Sequence, residues 1–302
     1  MNGPENHNLF LMSGIERTLE LSAPIAWQIA PQLCRREPTT GKDCSWLHRF
    51  WPCLRLMRMA ATPDRHADFY RSAFDRVPRE IESPRVLVCG AADYSMLALA
   101  LAAFRGRGIE PALSVIDVCD TPLHLNRWYA GREACKVETR RCSVLEYRAA
   151  AFDVICTHSF FGQFSREQRP AMIASWRRLL RPGGLAITTL PLRPGSDEAP
   201  NRFTPEQADL FRSVVRAKAD ELAKCLGVDP AEVLGQGETY LRARYGYAVH
   251  TGAEVRDLFE SSGFEVLQAG SGTAPTEAGL DAGGPGLRKR NGEYFSVVAR
   301  RR

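Results

Sequence analysis

The chain has 302 residues, of which 44% are hydrophobic and 25% charged, a composition in the globular range that allows one large domain or two ordinary ones. Its longest uninterrupted apolar run, Met96 to Phe104, has nine residues, too few to span a bilayer, and the start MNGPENHNLF carries acid and lacks a secretory profile, so a cytoplasmic protein without a membrane partner is expected. The net charge of +5 sits largely in Arg288–Lys289–Arg290 and Arg300–Arg301–Arg302, and elsewhere the signs are mixed, so nucleic acid is not the expected partner.

Residues 1–80 contain no alternating run but several stretches of helical spacing, among them Ser13 to Ile29 and Trp46 to Met59, and are expected to form a helical extension or lid. Its aromatics Trp46, Phe50, Trp51, Phe69 and Tyr70 either line an acceptor pocket or pack on the main domain. Cys34, Cys44 and Cys53 fall close together here, yet their spacings match no zinc module, and nine scattered cysteines without a CxxC pair read as reduced thiols. No metal is expected.

From Arg85 onward, short β-branched or apolar runs alternate with helical patterns, the signature of a parallel sheet with crossover helices. The predicted strands are Arg85 to Cys89, Ala112 to Asp117, Lys136 to Arg141, Phe152 to His158, Leu185 to Leu190, Phe264 to Ala269 and Tyr294 to Ala299. Helix starts are predicted at Thr121-Pro122, at Ser165 with Gln168, at Thr204-Pro205 with Gln207 and at Thr251 with Glu254. The long connection after the fifth strand holds an insertion, residues 204–250, with a helix over Pro205 to Leu226 ended by Gly227. Gly270 to Gly292, rich in Gly, Pro, Ala and Thr, predicts a mobile loop or a hairpin. The expected fold is thus α/β, a doubly wound, mostly parallel sheet of seven strands over residues 81–302.

The first strand runs into VLVCGAADYSMLALALAAF, where the small side chains of Gly90, Ala91 and Ala92 let backbone N–H groups approach a ligand. The second ends in VIDVCDTPL and puts Asp117 at the carboxyl edge, 27 positions after Gly90, where an acid can accept hydrogen bonds from ribose hydroxyls. Asp120, beside Thr121-Pro122, reads as a helix-start charge instead.

With these segments on the page, the chain resembles the class I S-adenosylmethionine-dependent methyltransferases and their Rossmann-like fold. CGAADYS stands at the family's glycine-rich motif, IDVCD at its acidic second strand, FDVICTHSFF at its fourth strand and LLRPGGLAITTL at its helix end, turn and fifth strand. The resemblance covers Arg85 to Leu190 well and the last two strands loosely. It implies S-adenosyl-L-methionine as cofactor, held by Tyr70, Gly90, Ala91, Ala92, Tyr94, Ser95, Asp117, Val118, Ser143, Val144, Thr157 and His158.

The chain departs from the family at Val88, where an acid usually holds the methionine end, and at Ala92 and Tyr94, where glycines usually follow. Asp93, Tyr94, Ser95 and Tyr70 are the candidates to replace that acid, and Ser143 stands for the acid near the adenine. His158 is placed by the resemblance near the reacting methyl, as a base for a hydroxyl or ammonium acceptor or as a packing residue. Tyr240, Tyr245, Tyr247 and His250 could contact an acceptor or pack a lid.

The implied activity (EC 2.1.1) moves a methyl group to oxygen or nitrogen of a small-molecule acceptor, with specialised metabolism as one setting and a homodimer as one assembly. An RNA methyltransferase, a nicotinamide dehydrogenase and a catalytically silent partner of the same fold are the alternatives. Acceptor choice is expected to lie in Trp46 to Tyr70 and in Thr204 to His250, folding as a roof over the ends of the fourth and fifth strands.

Overall fold

The computed structural model describes residues 5–34, 43–60, 62–149, 151–195, 202–273, 280–281, 288–289 and 293–302. In chain order the elements are α1 (Glu5–Leu33), α2 (Ser45–Leu56), a 3-10 turn at Pro63–His66, α3 (Ala67–Phe74), β1 (Arg85–Cys89), α4 (Ser95–Arg105), β2 (Ala112–Asp117), α5 (Asp120–Arg132), β3 (Val137–Arg141) and β4 (Phe152–His158). They continue with a 3-10 turn at Phe160–Gln163, α6 (Arg169–Leu179), β5 (Leu180–Pro191), α7 (Pro205–Leu226), α8 (Pro230–Ala243), α9 (Gly252–Ser261), β6 (Phe264–Thr273), β7 (Leu280–Asp281), β8 (Arg288–Lys289) and β9 (Glu293–Arg301).

Seven strands form one sheet in the order β3-β2-β1-β4-β5-β9-β6, with β1 to β5 mutually parallel and β9 antiparallel to both of its neighbours. This is the doubly wound, mostly parallel sheet expected from the sequence. The order reverses between β1 and β4, so the carboxyl ends of these strands open onto the crevice where ligands bind in such sheets. One sheet face is sealed by Tyr70, Phe74, Leu97, Leu101 and Phe104 against Val86, Val88 and Val154. The other is sealed by Ile173, Trp176 and Phe259 against Leu87, Ile155 and Ala186. Both faces of the central strands are therefore buried, which is why they read as continuous apolar runs.

The main differences from the expected boundaries have local causes. β5 begins at Leu180 instead of Leu185, because Leu180 pairs with Phe152 before the ladder shifts register and resumes at Val154 and Leu185. The Pro182-Gly183-Gly184 turn is absorbed into that bulge. Gly183 has φ 80, and a Cβ on Gly184 would come within 3.0–3.1 Å of three backbone oxygens. α6 begins at Arg169, one turn after Ser165, since Ser165 and Gln168 close a turn of their own, with Ser165 N donating to Gln168 Oε1 at 3.0 Å. The capping box at Thr204 and Gln207 is present, and α7 ends at Gly227 with φ 70, as the sequence predicts. Within Gly270 to Gly292, β6 extends to Thr273, and Leu280–Asp281 pairs with Arg288–Lys289 as a two-residue hairpin ladder. The remainder of that stretch lies outside the described residues.

α1, α2, α7 and α8 share a second core, in which Trp27, Phe50 and Leu54 meet Phe211, Val215, Leu222 and Tyr240. The N-terminal extension and the insertion after β5, separated in sequence by five strands of the sheet, thus form one helical unit. No helix among the described residues is long and apolar enough to cross a membrane.

Candidate active site

β1 delivers Gly90 to the carboxyl edge with φ 69, a left-handed conformation that a Cβ would strain. A side chain there would also run into the ring of Phe160, 2.2 Å from the ideal Cβ position. Beside it, Asp117 closes β2. Its Oδ2 accepts from Ala91 N at 2.9 Å and its Oδ1 from Cys119 N at 2.8 Å, so the turn after β1 and the turn after β2 are tied through one carboxylate. Burial pushes the Asp117 carboxyl up to about 6, against the opposing pull of His48 and of these two amides. Cys142 N donates to the Asp117 carbonyl at 2.9 Å, bringing the turn after β3 to the same place. There the Ser143 hydroxyl accepts from Leu145 N at 3.2 Å. Val118 is 53% exposed immediately beside Asp117.

Two of the residues singled out from the sequence point elsewhere. Tyr94 is 1% exposed; its ring stacks on Tyr129 at 4.8 Å and packs with Ala26 of α1, so its side chain seals α4 and α5 against the extension. Val144 is buried with Leu87, Cys89 and Ile116 beneath the sheet and presents no side chain at the edge. Asp120 opens α5 and lies 3.3 Å from Arg141, in keeping with a helix-start charge.

Asp93 is fully committed. Its Oδ2 accepts from Arg55 Nη1 at 2.7 Å and from Trp51 Nε1 at 2.8 Å, and its Oδ1 accepts from Ser95 N at 2.8 Å and from the Ser95 hydroxyl. Burial alone would raise this carboxyl, but the Arg55 charge and the Ser95 bonds outweigh it and hold the group below its ordinary value. Asp93 and Ser95 are therefore bound to each other and to the extension, and the acid that the sequence offered for a ligand's ammonium group already has its cation. Neither Trp51 nor Arg55 carries a local signal; they reach Asp93 only because α2 lies across the turn.

At the end of β4, Thr157 is buried, its hydroxyl 3.0 Å from that of Thr188, while its carbonyl accepts from the Tyr70 hydroxyl at 2.8 Å. Burial pushes the Tyr70 phenol up, so it remains protonated. The same oxygen lies 3.0 Å from His158 Nδ1. Because a carbonyl can only accept, the arrangement that satisfies all three atoms has Tyr70 donating to Thr157 and His158 Nδ1–H donating to Tyr70. The imidazole lone pair then resides on Nε2. Ser159 follows with φ 55, an uncommon conformation for a serine, secured by Ser159 N donating to Thr189 O at 2.7 Å. The His66 ring, from the extension, lies 5.2 Å from that of His158 and 4.7 Å from Tyr294 of β9. Neither His66 nor Tyr294 belongs to a motif, so nothing in the sequence ranks them with His158.

A cleft at the ends of β4 and β5 is lined by Ser159, Phe161, Gly162 and Gln163 after β4, by Leu190, Pro191 and Arg193 at the end of β5, and by Arg244 and Gly246 to Val249 of the insertion. Tyr247 N donates to Gly162 O at 2.9 Å and Arg193 N to Val249 O at 2.7 Å, stitching the end of the insertion to the β4 and β5 loops. Of the insertion's aromatic string, Tyr247 reaches this cleft, while Tyr240 is buried against Phe50 and Phe211.

No family profile matches the sequence, and no curated protein matches it. Among solved structures, the chain is similar to a 1,6-didemethyltoxoflavin-N1-methyltransferase from Burkholderia thailandensis with bound 1,6-didemethyltoxoflavin and S-adenosylhomocysteine, at 18% identity over 79% of this chain and 80% of that one, with a TM-score of 0.47. It is also similar to a magnesium protoporphyrin IX methyltransferase from Synechocystis PCC 6803 with bound SAH, at 11% identity over 84% and 87% and a TM-score of 0.47. A third is a SAM-dependent methyltransferase from Methanosarcina mazei, at 14% identity over 73% and 93% and a TM-score of 0.45. By its own sheet order and strand directions, the chain has the Rossmann-like methyltransferase fold.

Proposed function

We propose that the protein is an S-adenosylmethionine-dependent methyltransferase acting on oxygen or nitrogen of a small-molecule acceptor, with His158 as the base. The observation that carries this reading is the joint placement of a left-handed Gly90, the Asp117 carboxylate and His158 at the carboxyl ends of three adjacent strands. The cradle fits a nucleoside-bearing cofactor. A carboxylate oxygen has room for a second donor beyond one backbone amide, so Asp117 can accept ribose hydroxyls without releasing Ala91 or Cys119. The exposed side chain of Val118 offers an apolar surface for a base ring, and Ser143 a polar group near it. The turn's own side chains at Gly90, Ala91 and Ala92 are small, and the ring of Phe160 packs against Gly90.

The bound cofactor would supply an already activated methyl group, so the protein's task is alignment and proton removal. Tyr70 holds His158 in place through its Nδ1, and the His158 imidazole takes the proton from a hydroxyl or ammonium group as the methyl is transferred. The ring of His66, in the His66–Tyr70 segment, lies beside His158, and Arg244 and Gly246 to Val249 line the cleft at the ends of β4 and β5. Closing over a bound acceptor, these two segments would exclude water and hold it in line. Acceptor choice belongs to these two segments.

The test is release of S-adenosylhomocysteine from S-adenosylmethionine by the full chain with a panel of small phenols, alcohols and amines, read by mass spectrometry as methylated product. Methylation that is lost in His158→Ala supports the reading. Cofactor binding without transfer to any acceptor would favour a silent partner protein, and methylation of RNA alone would overturn the small-molecule assignment.

A further inference from the structure

Cys34, Cys44, His48 and Cys119 converge on one point, with a ligand atom from each lying within 4.8 Å of the others. Cys34 follows the last residue of α1. Cys44 is the N-cap of α2 and His48 lies four residues on, so one helical turn puts both on the same side. Cys119 is the N-cap of α5. Cys34 Sγ is 3.2 Å from His48 Nδ1 and 3.5 Å from Cys119 Sγ. The group is buried, apart from the half-buried Cys44.

We infer that these four side chains form a structural Zn2+ site, in which three thiolates and the His48 imidazole close a tetrahedron that ties the helical extension to the corner between β2 and α5. With Zn–S of about 2.3 Å and Zn–N of about 2.0–2.1 Å, a tetrahedral ion sets sulfurs about 3.8 Å apart and sulfur and nitrogen about 3.6 Å apart. The Cys34–His48 and Cys34–Cys119 separations lie within a few tenths of an ångström of these values, and all four ligand atoms lie within 4.8 Å of one another. They are far from the S–S length of about 2.05 Å that a disulfide requires. Three sulfurs and one imidazole are a soft, borderline set that selects zinc over magnesium or calcium. Four protein ligands leave no open position, which marks a structural site.

The surroundings suit thiolates. Thr121 N donates to Cys119 Sγ at 3.4 Å, and the Thr121 hydroxyl lies 3.0 Å from Cys34 Sγ. The N-termini of α2 and α5 both face the cluster, and their dipoles favour negative charge. On binding, Zn2+ displaces to solvent the protons held by the three cysteines and that of the charged His48 imidazole, and takes the imidazole lone pair so freed, leaving a site of net charge −1. In the sequence Cys34, Cys44 and Cys53 fall close together, but their spacings match no zinc module and predict no metal there. Cys53 instead packs in the helical core with Phe50 and Trp27, and the missing ligands are His48 and a cysteine on the far side of the first strand.

The site also bears on the cofactor edge, because the amide of Cys119 holds the Asp117 carboxylate. Its existence, however, does not depend on the methyltransferase reading, and its test needs no turnover. The full chain, purified under reducing conditions, is assayed for metal by mass spectrometry and then reloaded with Co2+. The expected result is about one zinc per chain, and after exchange the visible and near-ultraviolet bands of tetrahedral cobalt bound to thiolate. Cys44→Ser, at the most exposed ligand, should lose at least tenfold in zinc affinity, while Cys225→Ser, outside the cluster, should bind as the parent does. The inference is overturned if no zinc is found or taken up, if Cys44→Ser binds zinc as tightly as Cys225→Ser, or if peptide mapping finds Cys34 and Cys119 joined as a disulfide.

Discussion

In the sheet, β1, β2 and β4 each declare themselves within five to seven residues, as a largely apolar run followed by its own turn. The unit of α1, α2, α7 and α8 instead shares a core whose two halves enter the chain on opposite sides of the sheet. The same contrast divides the site. Gly90, Asp117 and His158 sit at strand ends and follow from where a strand stops. Arg55, Trp51, His66 and the cysteine–histidine cluster act only because helices from the extension are laid across those strand ends. Local pattern therefore places the proposed cofactor edge, and long-range packing decides what stands around it. Four substitutions, from the largest expected effect to the smallest, test how far that division holds.

The largest concerns Arg55, buried against Asp93 at 2.7 Å. Breaking a buried ion pair leaves an uncompensated charge and costs about 3–5 kcal/mol, far more than a surface pair is worth. Arg55→Ala should lower unfolding free energy by that amount in denaturant titrations. Arg55→Met combined with Asp93→Asn should recover part of it. A loss below about 1 kcal/mol would mean that the extension is not anchored through this pair.

His158→Ala should reduce turnover by about a hundredfold while nearly preserving cofactor affinity. Equal losses of both would make His158 a packing residue and move the chemistry into the helical unit, with His66 the next imidazole to test. Asp117→Ala should weaken cofactor binding by about 2 kcal/mol, roughly thirtyfold, since hydrogen bonds to charged groups are worth about 1.5–3 kcal/mol. Unchanged affinity would remove Asp117 from the cofactor site. Tyr70→Phe deletes only the hydroxyl that joins Thr157 to His158 and should cost about 1 kcal/mol, or roughly fivefold in turnover, with KM nearly constant. An effect on KM alone would assign Tyr70 to acceptor binding.

Much of this was legible before the structure, for physical reasons that differ by residue. Strand limits at Arg85–Cys89, Ala112–Asp117 and Phe152–His158 follow from continuous apolar runs, because both sheet faces are buried. The Thr204–Gln207 box and Gly227 mark α7 because capping is a local hydrogen-bonding event. Tyr94 misled because its position in the turn says nothing about direction, and only the packing of α1 and α5 turns its ring away from the edge. Asp93 misled for the same reason, its cation arriving from α2. The β5 bulge was invisible because strand pairing at Leu180 depends on Phe152, a residue on another strand.

The most direct test of the central claim is a calorimetric titration of the full wild-type chain with S-adenosylhomocysteine, S-adenosylmethionine and NAD in parallel. The account predicts binding of the two sulfur nucleosides in the micromolar range, about 8 kcal/mol, with one site per chain and no heat from NAD. Binding of NAD with no response to either sulfur nucleoside would contradict it and return the Gly90–Asp117 edge to the dehydrogenases.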